Sequence, residues 1–167
     1  MATQILGQAS RQWSERPADE RFSSLSDLDI KVRFYREHAQ EVIRSYGQLK
    51  VETAQIEDFK APEPVLINIL TGGGTRFTHW GFGQLASRVG APANYLRSLE
   101  PDLAAANLNY GLTKLAIEEP TAQAELLLHS NGGRWVRALT TDKYTRIWNA
   151  DITSRLLRLT EQDKTWQ

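Results

Sequence analysis

The 167-residue chain has no cysteine, one methionine and three histidines. Without cysteine there is no disulfide, no thiolate nucleophile and no zinc site that needs sulfur. His38, His79 and His129 share no HxxxH or similar spacing, so no metal and no other cofactor is expected. Net charge is missing too. Twenty Lys/Arg balance 20 Asp/Glu, and no global field draws the chain to a polyanion or a membrane. No apolar run approaches the roughly 18 residues of a membrane span. The N-terminus, MATQILGQASRQW, lacks the basic start and long apolar stretch of a signal peptide. These absences lead to the expectation of a soluble, cytoplasmic protein with no membrane partner.

What is present is unevenly spread. Residues 100–129 carry Glu100, Asp102, Glu118, Glu119 and Glu125 against Lys114 alone, whereas residues 130–167 hold seven Lys/Arg against four Asp/Glu. Within the basic quarter, RWVRALTTDKYTRIWNAD (134–151) sets Arg134, Arg137, Lys143 and Arg146 among Trp135, Tyr144 and Trp148, and ends on Asn149 and Asp151. Cations meet phosphates and aromatic faces stack on bases, so this composition suits a single-stranded nucleic acid. A strand with core residues, a polar loop and a helix cap would give the same letters. Both readings stand on sequence alone.

Residues 1–23 show no strong period and read as a loosely docked arm, and residues 24–167 as a single domain. Leu28, Val32, Tyr35, Ala39, Val42, Ile43 and Tyr46 follow one helical face, with Ser26-x-x-Asp29 as cap and Gly47 as stop. Leu49, Val51 and Thr53 alternate as a strand, and Val65–Leu70 (VLINIL) reads as a buried one. Thr78 can cap a helix to about Val89, with Gly90 beyond its end. Pro92 starts a short helix through Leu99. Pro101 starts a longer one that offers Leu103, Ala106, Leu108, Leu112 and Leu115 to the core. Residues 125–139 form a hairpin about Asn131-Gly132-Gly133, with Trp135, Arg137 and Leu139 on one face. A last helix from Asn149 or Asp151 to about Leu159 buries Ile152, Leu156 and Leu159. The sum is an α+β fold, a small mostly antiparallel sheet with helices packed on one side.

Other patterns carry less. Thr71-Gly-Gly-Gly-Thr-Arg76 lacks the Gly-Lys-Ser/Thr ending of a phosphate loop and reads as a turn. Residues 84–96 have the skeleton of a helix-turn-helix, but only Arg97 and the preceding Arg88 offer phosphate contacts. A helix corner packed on the sheet is the alternative there. No nucleophile elbow or carboxylate cluster points to catalysis.

Two segments together, Phe77–Leu96 (FTHWGFGQLASRVGAPANYL) and Arg137–Asp151 (RALTTDKYTRIWNAD), resemble the phage/plasmid-related proteins that carry the domain of unknown function 932. Thr140 and Thr141 stand where a serine is more usual. The resemblance covers about residues 60–160 and implies the N-terminal half of a longer protein in a mobile-element setting. The expected function is non-catalytic binding of single-stranded nucleic acid, through Arg137, Lys143, Tyr144, Arg146, Trp148 and Asn149, in mobile-element DNA maintenance or recombination. The alternatives are a protein-binding inhibitor of a host defence complex, of the anti-restriction or anti-CRISPR type, and a helix-turn-helix reader of duplex DNA. The acidic stretch between Glu100 and Glu125 favours the inhibitor, since it could imitate phosphate to a basic partner.

Overall fold

A computed structural model describes residues 21–54, 62–67, 74–129 and 134–162. Nearly all of the expected N-terminal arm, residues 68–73 and the 131–133 turn lie outside them. The chain divides into two compact units, with boundaries after Glu37 and after Arg146.

The first unit pairs helix α1 (Leu25–Glu37) with helix α5 (Asn149–Gln162). α1 is capped by Ser24, whose hydroxyl accepts from Asp27 N at 3.0 Å, and not by Ser26. Asp29 is instead turned inward and is 6% exposed. Its carboxylate accepts from Thr153 Oγ1 at 2.6 Å, Arg33 Nε at 2.6 Å and Ser154 Oγ at 3.3 Å. A buried carboxylate needs donors, and α5 supplies hydroxyls. Ala150 and Thr153 are therefore buried, while Ile152, Leu156 and Leu159 are exposed, contrary to expectation. Each residue turns the helix by about 100°, so choosing the Thr153 face moves the leucine stripe outward.

The second unit is built on two sheets. β1 (Ala39–Ser45), β5 (Gln123–His129), β6 (Trp135–Thr141) and β4 (Arg76–Phe77) form one in the order β1-β5-β6-β4. Its pairings are antiparallel except β4–β6, which is parallel. β2 (Lys50–Ala54) and β3 (Glu63–Ile67) form an antiparallel pair, and Leu66 bridges to Thr75 just before β4. Helices α2 (His79–Arg88), α3 (Ala93–Ser98) and α4 (Pro101–Glu118) complete the unit, and the fold class is α+β as expected.

The helical period across Leu28–Tyr46 thus belongs to two elements. Val42 and Ile43 are β-branched and sit better in a strand. Val42 opposes Leu126 and is buried, while Ile43 points outward at 50% exposure. Tyr46 ends up fully buried in a short turn, Tyr46–Gln48, and its hydroxyl accepts from Arg88 Nε at 2.6 Å.

α2 begins and ends as its sequence demands. Thr78 Oγ1 accepts from Gly81 N at 3.1 Å. Gly90, at φ 74°, takes the left-handed position beyond the last turn. Gly81 has a second role. A Cβ there would lie 2.3 Å from Val136 O, so only glycine lets α2 press onto β6. Leu85, Ala86 and Leu96 are buried at the corner. On α4 Leu108 and Leu112 are buried, but Ala104 and Ala105 replace the exposed Leu103 and Ala106.

Two sheet edges are closed by side-chain amides. Asn109 of α4 accepts from Val51 N and donates to Val51 O. Gln84 Oε1 accepts from Leu139 N at 3.0 Å. Each supplies the partner that a missing strand would have given.

Candidate nucleic-acid interface

β6 does not alternate evenly. Leu127 opposes Ala138 and Leu128 opposes Val136, so Arg137 is the extra residue of a bulge in β6. The bulge shifts the side-chain period. Val136 and Leu139 both reach the core, and Trp135, Arg137 and Leu139 do not share a face as the sequence implied. Thr78 Oγ1 donates to the carbonyls flanking the bulge, Val136 O and Arg137 O, each at 3.2 Å. Trp135 is half-buried, with the Arg76 guanidinium 4.1 Å from its ring centroid. Glu63 holds Arg76 in turn.

After β6 a turn brings Tyr144 N to Thr141 O at 3.0 Å. Residues 141–145 are all exposed, Tyr144 at 50%. Arg146 then turns back. Its Nη2 reaches Glu125 at 2.6 Å and its Nε reaches Glu41 at 3.0 Å. Only 13% of its side chain is exposed. Its Cζ lies 6.0 Å from the Tyr144 ring centroid. Arg146, the cation expected to meet phosphate, is thus held by two carboxylates and fastens the loop to the sheet.

The six expected residues fall in both units. Arg137, Lys143, Tyr144 and Arg146 belong to the sheet unit. Trp148 and Asn149 belong to the helix pair, where the Arg36 guanidinium lies 5.4 Å from the Trp148 ring centroid. Asn149 is the first residue of α5 and is exposed. Asp151 pairs with Arg36 at 2.6 Å.

Exposed aromatics elsewhere went unread. Trp80 on α2 is 69% exposed and Tyr95 on α3 is 57% exposed. The signal was available, since Trp80 is two, five and six residues before Phe82, Leu85 and Ala86 and so lies off their helical face. α3 exposes Asn94, Tyr95, Arg97 and Ser98. Arg97, however, reaches back to His79 O at 2.8 Å and packs over Phe82. A six-residue α3 with its one cation turned toward α2 is poorly equipped to read an operator.

Three of the five acids in the stretch are paired. Glu119 meets Arg88 at 2.6 Å, Glu118 meets Lys114 at 3.7 Å, and Glu125 meets Arg146. Among the described residues no group of three or more His, Asp or Glu could hold a metal ion, and no helix is long and apolar enough to cross a membrane. No protein-family model, curated protein or solved structure matches the chain.

Proposed function

We propose that the protein binds single-stranded nucleic acid, without catalysis, as a component of a mobile-element system. The observation that carries this reading is the loop after β6. Arg146 anchors it, and Lys143 and Tyr144 stand exposed side by side beyond the anchor. A cation next to an open aromatic face is the minimal unit that grips a phosphate and stacks on its base. The exposed Trp80 supplies a second stacking face on the same unit. Arg137, at the bulge, is the further cation of this reading. The resemblance to phage/plasmid-related proteins supports the mobile-element setting, and the lack of cysteine fits a reducing cytoplasm.

The paired state of Glu118, Glu119 and Glu125 weighs against the inhibitor reading, because carboxylates already matched to Lys and Arg imitate phosphate poorly. The test is anisotropy of a labelled single strand at low salt, with unlabelled single strand and duplex as competitors. Binding competed by single strand more strongly than by duplex is expected. No measurable affinity at low salt sinks the reading.

A further inference from the structure

A cavity of about 290 Å³ opens beside the α2–α3 corner, within the sheet unit. Its walls are hydrocarbon, given by Phe77, Phe82, Leu96, Leu99, Pro101 and Ala104. Its polar groups are Glu63, Thr78, His79 and Arg97. Two of these are committed. Glu63 is neutralised by Arg76, and the Thr78 hydroxyl caps α2. Arg97 is different. It donates to His79 O and, at 3.5 Å, to Asn94 Oδ1, yet it makes no ion pair with a described carboxylate. Its guanidinium lies 5.0 Å from the Phe82 ring centroid, against the cavity wall. Arg97 stays exposed to solvent at the mouth of the cavity, and its partial burial there lowers its pKa.

Most of the wall offers no hydrogen-bond partner, so a ligand rich in polar atoms would bury several of them unsatisfied, which is costly. A hydrocarbon ring or branched chain would not. Arg97 brings to the cavity mouth one positive charge that no described carboxylate pairs, and its planar guanidinium suits a carboxylate. We propose that this cavity binds a hydrophobic monocarboxylate, with its apolar group between Phe77, Phe82, Leu96 and Leu99 and its carboxylate on Arg97. The same chemistry comes from two sources, a free small acid or the C-terminal residue of a peptide chain. This site is separate from the Lys143–Tyr144 loop and does not depend on nucleic-acid binding.

The experiment is an NMR titration of the full ¹⁵N-labelled chain with 3-phenylpropionate, with the uncharged 3-phenylpropionamide, and with a short peptide ending in phenylalanine. The acid should shift the amides of Phe77, His79, Leu96 and Arg97 saturably, with a dissociation constant on the order of 1 mM. The amide should bind about tenfold more weakly, and R97Q, but not R97K, should erase that difference. A peptide that binds more tightly than the free acid assigns the site to a chain end, and one that binds more weakly assigns it to small acids. Equal binding of acid and amide to the wild-type chain, or no saturable shift with either the acid or the peptide, overturns the proposal. The acid–amide comparison needs no variant, so it stands even where R97Q fails to fold.

Discussion

Arg146 Nη2 donates to Glu125 Oε1 at 2.6 Å, and each side chain is only 13% exposed. The pair ties the loop after β6 to the middle of β5. Arg146→Ala should destabilise the sheet unit by about 2–4 kcal/mol, because it strands Glu125 in a place poor in water. Arg146→Met combined with Glu125→Met should recover much of that loss. Urea denaturation of the two variants is the check. A silent Arg146→Ala would mean that the loop is held by something else.

The amide of Asn109 brackets Val51, accepting from its N–H at 2.9 Å and donating to its C=O at 2.8 Å. Val51 itself is 1% exposed. Asn109→Ala leaves both backbone groups without partners and should cost about 1–3 kcal/mol. Asn109→Asp should fare little better, since a carboxylate cannot donate to Val51 O. Hydrogen exchange at the Val51 amide should speed up in Asn109→Ala and less in Asn109→Asp, whose carboxylate still accepts from it.

The helix pair should be sensitive to acid. The hydroxyl of Thr153, followed by the Arg33 guanidinium, holds the Asp29 carboxyl below its usual range, although burial pulls the other way. A carboxyl whose folded pKa is depressed stabilises the fold above the unfolded value of about 3.9 and loses that contribution as pH falls through the folded value. The melting temperature of the wild type should therefore drop more steeply below about pH 4 than that of Asp29→Asn. Identical acid profiles would remove Asp29 from the account.

On α5, Leu156→Ser should change stability by less than about 0.5 kcal/mol, because Leu156 is exposed. Thr153→Val, nearly the same shape without the hydroxyl, should cost more than that by taking a donor from Asp29. The reverse order, read by thermal denaturation, would restore the leucine stripe to the core.

That contrast shows where sequence reasoning reaches and where it stops. Thr78 and Gly90 bounded α2 correctly because a cap and a left-handed glycine act locally. The α5 face was misread because hydropathy cannot see that Asp29, more than a hundred residues away, asks for hydroxyls. The run to Tyr46 was misread because Val42 and Ile43 happened to continue the period of α1, while the partner that makes them a strand is β5. The bulge at Arg137 leaves no trace in the letters, and it rearranged which residues share the face with Trp135. For the candidate site, the sequence picked out the loop but could not show Arg146 spent on Glu41 and Glu125.

The most direct test of nucleic-acid binding is the salt dependence of single-strand affinity in three chains: wild type, Lys143→Ala and Tyr144→Ala. Stacking on Tyr144 predicts a loss of about 1–3 kcal/mol in Tyr144→Ala with the salt slope unchanged. A phosphate contact at Lys143 predicts a slope shallower by roughly 0.7 in Lys143→Ala. Both variants should melt with the wild type, since both residues are exposed. Wild-type affinity that neither substitution alters would contradict the account.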